Sequence, residues 1–150
     1  MDTSDVKTLE PLTRDEAVDL LRTEQIGRLI FTRRALPSAA PVNYVLRDGA
    51  VWFWTASTAS LAQALHRAVV GFEVDHIDAR ARTGWSVLIL GIAELVMDEE
   101  QIALARSFGP EPWAPGRMEN LIRIPLTQVT GRRIDPWFPL VDWADHDTGF

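Results

Sequence analysis

The stretch PVNYVLRDGAVWFWTASTASLAQAL, residues 41–65, decides the fold class of this 150-residue chain. Two apolar runs flank Asp48-Gly49, a dipeptide that tolerates positive φ and therefore predicts a tight β-hairpin. The second run continues through a Thr/Ser-rich segment, beginning at Thr55, into an Ala- and Leu-rich segment that favours a helix. Hydroxyl and free backbone N–H groups meet where such a loop enters a helix, and the helix dipole favours negative charge there. The pattern predicts a strand–loop–helix seat for an anion.

Outward from this stretch, the periodicity predicts short helices among antiparallel strands. Helices are predicted at about 14–23, where Thr13 and Glu16 have capping-box spacing, and at about 58–67 and 98–108. Strands are predicted at about 26–32, 39–47, 50–55, 69–78 and 85–97, with a final kinked strand over about 121–134. These elements predict an α+β fold, a six-stranded antiparallel barrel with short flanking helices.

The predicted barrel domain spans residues 13–135. Residues 1–12 are expected to form a flexible N-terminal arm, and residues 136–150 a tail that packs on the barrel or on a partner chain. The N-terminus has no signal-peptide core, and Arg and Asp interrupt every apolar run before it reaches the length of a membrane span. We therefore expect a cytoplasmic protein that does not enter a membrane.

Composition excludes several classes of function. The net charge of −6 argues against general nucleic-acid binding, which usually needs a basic surface. Without cysteine the chain has no disulfide, no thiolate nucleophile and no Cys-ligated metal, and the three histidines lack ligand spacing. Lys7 is the only lysine, a bias typical of a high-GC genome, so the folded region offers no lysine as a phosphate ligand.

The order of segments over residues 12–134 resembles the FMN-binding split β-barrel family, the pyridoxamine 5′-phosphate oxidase-like proteins. The segments are IGRLIF, PVNYV, VWFWTASTASL, VGFEVDHID, GWSVLILGIAELV, PWAPG and IRIPLTQVTGRRI. The resemblance implies a homodimer with a flavin in each interface groove and the flavin phosphate at the strand–loop–helix. It also implies an FMN-dependent oxidoreductase for a small planar substrate, in which the cofactor carries out the chemistry and no side chain need be catalytic.

The resemblance does not extend to the residues that usually bind the flavin phosphate. Flavin-binding relatives usually have an arginine and a lysine where this chain has Trp54 and Ser60, although Thr55 is retained. Losing two charge-assisted hydrogen bonds, each worth roughly 1.5–3 kcal/mol, weakens FMN binding by roughly two to four orders of magnitude.

Three alternatives stay open. In the first, FMN is retained with another cation, which is Arg80, Arg82 or an arginine of the partner chain. In the second, the cofactor is the deazaflavin F420 of actinobacterial relatives. In the third, Trp52 and Trp54 shape or fill a groove for a different ligand, without a redox cofactor.

The predicted cofactor-binding residues come from three segments. Asn43 lies in the strand that the resemblance places beside the flavin ring, with a cross-strand hydrogen bond as its alternative role. Trp85 opens a long strand and, by resemblance, lies near the partner's cofactor, with interface packing as the alternative. Helix capping is the alternative role for the hydroxyls after Trp54. The full set is Asn43, Trp54, Thr55, Ser57, Thr58, Ser60, Arg82 and Trp85.

Overall fold

The computed structural model describes residues 9–56, 59–113 and 118–134, which form ten strands and three helices. The strands are β1 (Glu10–Pro11), β2 (Ile26–Arg33), β3 (Leu36–Asn43), β4 (Val45–Arg47), β5 (Ala50–Ala56), β6 (Val69–Asp78), β7 (Thr83–Ile92), β8 (Glu94–Leu95), β9 (Met118–Pro125) and β10 (Gln128–Ile134). The helices are α1 (Arg14–Leu21), α2 (Ala59–Leu65) and α3 (Glu99–Phe108). No helix in these ranges is long and apolar enough to cross a membrane.

The strands divide between two antiparallel sheets. The larger sheet has the order β1-β10-β7-β6-β2-β3, and the smaller has the order β4-β5-β9-β8. The antiparallel α+β class is confirmed. The predicted count of six strands is wrong, because a second sheet of four strands accompanies the six-stranded one.

Three predicted strands are wrong in extent, since each consists of two strands that belong to different sheets. They are the pairs β3–β4, β7–β8 and β9–β10, predicted as single strands over about 39–47, 85–97 and 121–134. A buried residue stands between the two strands of each pair: Tyr44, Ala93 and Leu126. Because the residue at each corner is buried, the apolar pattern of the sequence continues from one strand into the next. The pattern therefore predicts a single strand, although the second strand of each pair forms its backbone hydrogen bonds in the other sheet.

The N-terminal segment joins the larger sheet before α1 begins. Glu10 and Pro11 pair with β10, and the Leu12 N–H donates to the Gly131 carbonyl at 2.9 Å. These residues were expected to belong to a flexible arm; the rest of that arm and the C-terminal tail lie outside the described residues. The helix N-cap at Thr13 is confirmed, because Thr13 Oγ1 accepts from the Glu16 N–H at 3.2 Å.

The main core lies between the two sheets and is centred on aromatic rings. Phe72 packs edge-on against Tyr44 and stacks with Phe53, at centroid distances of 5.2 and 6.0 Å. Gly27 lets the Phe72 ring approach β2, since a Cβ at this position would lie 2.4 Å from two ring carbons. Full burial of one such side chain contributes about 1.5–3 kcal/mol, so this cluster fixes how the sheets face each other.

A second cluster lies on the opposite face of β5, beneath α3. Strand alternation sends Phe53 into the main core and Trp52 and Trp54 to the other side, where both are at least nine-tenths buried. Ala105 and Phe108 of α3 pack against this tryptophan pair. We call this set the tryptophan cluster. It confirms that the two tryptophans share one face, and it places the C-terminal end of α3 beside Trp54.

Candidate functional site

A cavity of about 620 Å³ lies against Trp54 at the end of α3. Its walls are Trp54, the last turn of α3 (105–108), the segment 109–112 and Met118. A second cavity of about 80 Å³ shares Trp54 and Met118 and reaches Asn43. The larger volume falls within the roughly 300–1,000 Å³ of small-molecule sites. We call the two spaces the large cavity and the small cavity.

Asn43, at the end of β3, fixes the segment that walls both cavities. Its Oδ1 accepts a hydrogen bond from the backbone N–H of Trp113 at 3.0 Å. The bond ties the chain after α3 to the end of β3, whereas the Trp113 ring itself is 66% exposed. The predicted cross-strand hydrogen bond of the Asn43 side chain is therefore replaced by one to a loop backbone. Asn43 and Trp54 therefore both line the small cavity.

Thr55 presents a buried hydroxyl with no hydrogen-bond partner among the described residues. The residue is 6% exposed, and its Oγ1 is fully buried. The register of β5 with β9 shifts between Thr55 and Ala56, an irregularity of the kind that re-aims side chains next to sites. An unsatisfied buried hydroxyl costs about 1–3 kcal/mol, and such groups call for an explanation such as a bound ligand.

The rest of the predicted anion seat is only partly described. Ser57 and Thr58 lie outside the described residues. Ser60 lies in the first turn of α2, and its side chain is not described. The roles of these three residues therefore stay predictions.

Arg82 and Trp85 lie away from both cavities of their own chain. Arg82 is exposed in the β6–β7 turn with φ 55°. Trp85 is half-buried in β7, where it pairs in register with His76 and Arg133 and packs against the main core. A single chain therefore does not join these two residues to Trp54, and their roles at a partner's site stay predictions.

The sequence analysis missed three arginines that lie over the aromatic rings of the tryptophan cluster. The guanidinium carbon lies 4.3 Å from the ring centroid for Arg47 over Phe108, 4.9 Å for Arg106 over Trp54 and 5.5 Å for Arg123 over Trp52. The arginines come from β4, α3 and β9, which are far apart along the chain. Only the packing of α3 on β5 brings them together, so no local spacing pattern indicates them.

Glu73, in β6 of the larger sheet, has a raised pKa. Arg28 Nη1 lies 3.3 Å from Glu73 Oε2 and 3.1 Å from Asp75 Oδ2. Burial, followed by the hydrogen bond to Asp75 and the repulsion from it, raises the pKa of Glu73 to about 7 against the opposing effect of Arg28. This group does not line either cavity. Arg28, Glu73 and Asp75 therefore belong to the surface of the larger sheet and not to the candidate site.

The histidines of the described ranges have structural partners. His66 Nδ1 accepts from the Leu95 N–H at 3.0 Å, and His76 Nδ1 lies 3.0 Å from Glu24 Oε1. Within residues 9–56, 59–113 and 118–134 no group of three or more His, Asp or Glu side chains is placed to hold a metal ion.

Comparison with known proteins decides the family. The sequence profile described as pyridoxamine 5′-phosphate oxidase matches residues 13–133. The chain belongs to the pyridoxamine 5′-phosphate oxidase family. An uncharacterized protein of Mycobacterium tuberculosis is 41% identical over 128 residues, which cover 82% of this chain and 84% of that protein. The family resemblance over residues 12–134 is thereby confirmed.

Solved structures agree with this family. The FAD binding protein from Mycobacterium smegmatis is 32% identical with a TM-score of 0.69, over 85% of this chain and 98% of that one. A conserved protein of unknown function from Corynebacterium diphtheriae is 33% identical with a TM-score of 0.69, over 83% of this chain and 96% of that one. The fold found here is thus shared with both proteins, one of which is a FAD binding protein.

The residues present fit a flavin nucleotide in three respects. Thr55, at the start of the predicted anion seat, has a buried hydroxyl with no partner among the described residues, although it lines neither cavity. Trp54 presents an aromatic wall to both cavities, and the large cavity has the size of a small-molecule site. Trp54 also departs from flavin-binding relatives, which usually have an arginine there, so any cation for the phosphate has to come from another residue.

Proposed function

We propose that this protein binds a flavin nucleotide beside Trp54 and Thr55 and acts as an oxidoreductase on a small planar substrate. The observation that carries the proposal is the buried Thr55 hydroxyl without a hydrogen-bond partner among the described residues, at the end of the strand that enters the anion seat. The FAD-binding relative from Mycobacterium smegmatis supports a flavin and adds FAD to FMN as a cofactor to test.

In this proposal each residue has a defined task. The Thr55 hydroxyl donates to a phosphate oxygen, together with the hydroxyls predicted at Ser57, Thr58 and Ser60. The Trp54 indole and the proline-rich segment 109–112 exclude water from one side of the ligand. Asn43 holds that segment in place through the Trp113 N–H. A bound flavin would supply the hydride and electron transfer, so the protein need only place and shield it.

The active form in this proposal is a homodimer. An apolar surface supports it: Ile30, Val69, Leu90 and Ile92 are 37–73% exposed on the outer face of the larger sheet. They form one patch, because Ile30, Gly71 and Leu90 are aligned across three neighbouring strands and Val69 pairs with Ile92. Contiguous exposed apolar surface marks interaction sites.

One observation favours a second candidate, a small-ligand-binding protein without a flavin. Trp54 is only 9% exposed and packs within the tryptophan cluster at the position where relatives usually have the phosphate-binding arginine. An indole at that position favours an uncharged aromatic or apolar ligand in the large cavity.

Titration of the purified protein with FMN, FAD, F420 and riboflavin, followed by flavin and tryptophan fluorescence, separates these functions. The proposal predicts saturable binding of FMN or FAD at low micromolar concentration or below, and reduction of the bound flavin by a chemical or nicotinamide donor. A folded protein that binds no flavin, and takes up only uncharged aromatic ligands, would establish the second candidate instead.

A further inference from the structure

Two of the three arginines stacked on the tryptophan cluster have carboxylate partners. Arg47 Nε lies 3.7 Å from Asp48 Oδ2, and Arg123 Nη1 lies 3.1 Å from Glu94 Oε2. A guanidinium whose charge is neutralised and whose face covers a ring is explained by packing alone. These two arginines do not line the large cavity.

Arg106 differs from these two arginines, because it lines the large cavity and has no carboxylate partner among the described residues. Its guanidinium carbon lies 4.9 Å from the Trp54 ring centroid, and it lines the large cavity with Trp54. It forms no ion pair and no side-chain hydrogen bond within the part of the chain that the structure describes. Glu111 lines the same cavity but is not paired with it. The cavity wall therefore combines an aromatic face with a cation that no described carboxylate neutralises.

The contact with Trp54 leaves the N–H donors of Arg106 without a partner among the described residues. A guanidinium uses its face to cover a ring, while its N–H donors point outward in the plane of the group. That fork matches two oxygens of a phosphate or pyrophosphate. The indole restricts the rotamers of the long side chain, so less conformational entropy is lost when the anion binds.

We infer that Arg106, positioned by Trp54, is the cation that binds the phosphate or pyrophosphate of the nucleotide in the large cavity. The inference rests on the proposed function. It also accounts for the tryptophan at position 54: the cation comes from α3, and the indole serves as the surface on which it lies. Glu111, on the same wall, opposes the bound anion and limits its affinity.

Binding constants for FMN and riboflavin test this inference, because riboflavin has the same ring without the phosphate. Arg106→Gln should raise the Kd for FMN by about 10- to 100-fold, the loss expected for a charge-assisted contact, and change the Kd for riboflavin by less than about two-fold. Arg106→Lys should give an intermediate Kd, since a lysine keeps the charge but not the fork. Glu111→Gln should lower the Kd for FMN.

The matched control is Arg123→Gln, which removes an arginine that lies over Trp52, has its own carboxylate partner and covers no ring that lines the large cavity. It should leave both Kd values unchanged. Circular dichroism and the melting temperature of each variant establish that it is folded. Quenching of tryptophan fluorescence by inorganic pyrophosphate serves as a probe that needs no flavin.

The outcomes separate the inference from the proposed function. FMN binding by Arg106→Gln with wild-type affinity would overturn the inference and leave the flavin site standing. If the wild-type protein binds no flavin, the proposed function fails, and the quenching of tryptophan fluorescence by pyrophosphate alone tests the anion site. Quenching that is lost in Arg106→Gln but kept in Arg123→Gln would support the anion site, and quenching that is absent or unchanged in Arg106→Gln would overturn it.

Discussion

At the scale of single residues, Thr55 links the stability of the protein to its ligand. The buried Thr55 hydroxyl has no partner among the described residues, and such a hydroxyl destabilises the free protein, whereas an apolar group of the same shape carries no such penalty. The same hydroxyl gains a partner when a phosphate binds. One atom is therefore expected to affect stability and affinity in opposite directions.

The substitution Thr55→Val should raise the melting temperature of the ligand-free protein and weaken FMN binding. We expect a gain of about 1 kcal/mol, or roughly 3 °C for a chain of this size, and a Kd for FMN raised about five- to ten-fold. Differential scanning calorimetry and flavin titration measure the two effects. Thr32→Val, at an exposed strand position, is the control for the chemical change alone. A Thr55→Val protein with a lower melting temperature and unchanged FMN affinity would contradict this account.

Glu73 is expected to give the stability a pH dependence. Burial is the largest cause that raises its pKa from 4.5 to about 7, so the folded protein holds the proton more tightly than the unfolded chain does. Stability from this group is complete below pH about 4.5 and is lost as the pH rises through about 7.

Glu73→Gln, which has no proton to lose, should therefore gain stability relative to wild type between pH 5 and pH 8. The expected gain is about 1 kcal/mol, reduced from the full shift because solvent reaches the group. Urea unfolding at the two pH values measures it, with the exposed Glu100→Gln as the control. A difference between Glu73→Gln and wild type that is the same at both pH values would show that the proton affinity of Glu73 does not change on folding.

At the scale of elements, α3 positions the wall of the large cavity. Asp98 caps the helix by accepting from the Glu100 N–H at 2.8 Å, and Gly109 ends it with φ 87°. Ala105 is fully buried against the tryptophan cluster, so the helix approaches β5 closely. The last turn then carries Arg106 and Phe108 to the cavity.

Removing the cap of α3 should affect both folding and binding. Asp98→Ala is expected to cost about 1 kcal/mol of stability and to raise the Kd for FMN, because the last turn of α3 is held less firmly. Asp98→Ser, which keeps a capping oxygen, is the matched control and should retain most of both properties. Thermal unfolding and FMN titration of the two variants provide the measurement. Equal losses in Asp98→Ser and Asp98→Ala would show that the cap does not act through its hydrogen bond.

Elements with local signals were predictable, and features that depend on distant packing were not. The N-cap at Thr13 and the hairpin at Asp48-Gly49 are set by neighbouring residues, and both are present. The corners at Tyr44 and Ala93 were missed because a buried corner continues the apolar pattern of the strand. In the site, the family resemblance named Asn43 and Trp54 separately, and both line the small cavity. No pattern in the sequence indicated Arg106 as a site residue, because its place beside Trp54 depends on how α3 packs on β5.

At the scale of the whole molecule, the outer face of the larger sheet is expected to hold two chains together. Leu90→Glu places a charge in the middle of the Ile30–Gly71–Leu90 alignment and should convert the dimer to a monomer. Leu104→Glu is the control, because Leu104 is 49% exposed on α3 and belongs to the smaller sheet's side. Light scattering after size exclusion reports the mass against the 16.8 kDa chain. A Leu90→Glu protein that keeps twice the chain mass would place the dimer interface elsewhere.

The central claim is that this chain holds a flavin nucleotide beside Trp54 and Thr55, and one titration tests it most directly. The wild-type protein is titrated with FMN and FAD while flavin and tryptophan fluorescence are followed. The account predicts saturable binding of one flavin per chain at low micromolar concentration or below, with tryptophan quenching that is weakened by Thr55→Val. A folded protein that shows no saturation with either flavin would contradict it.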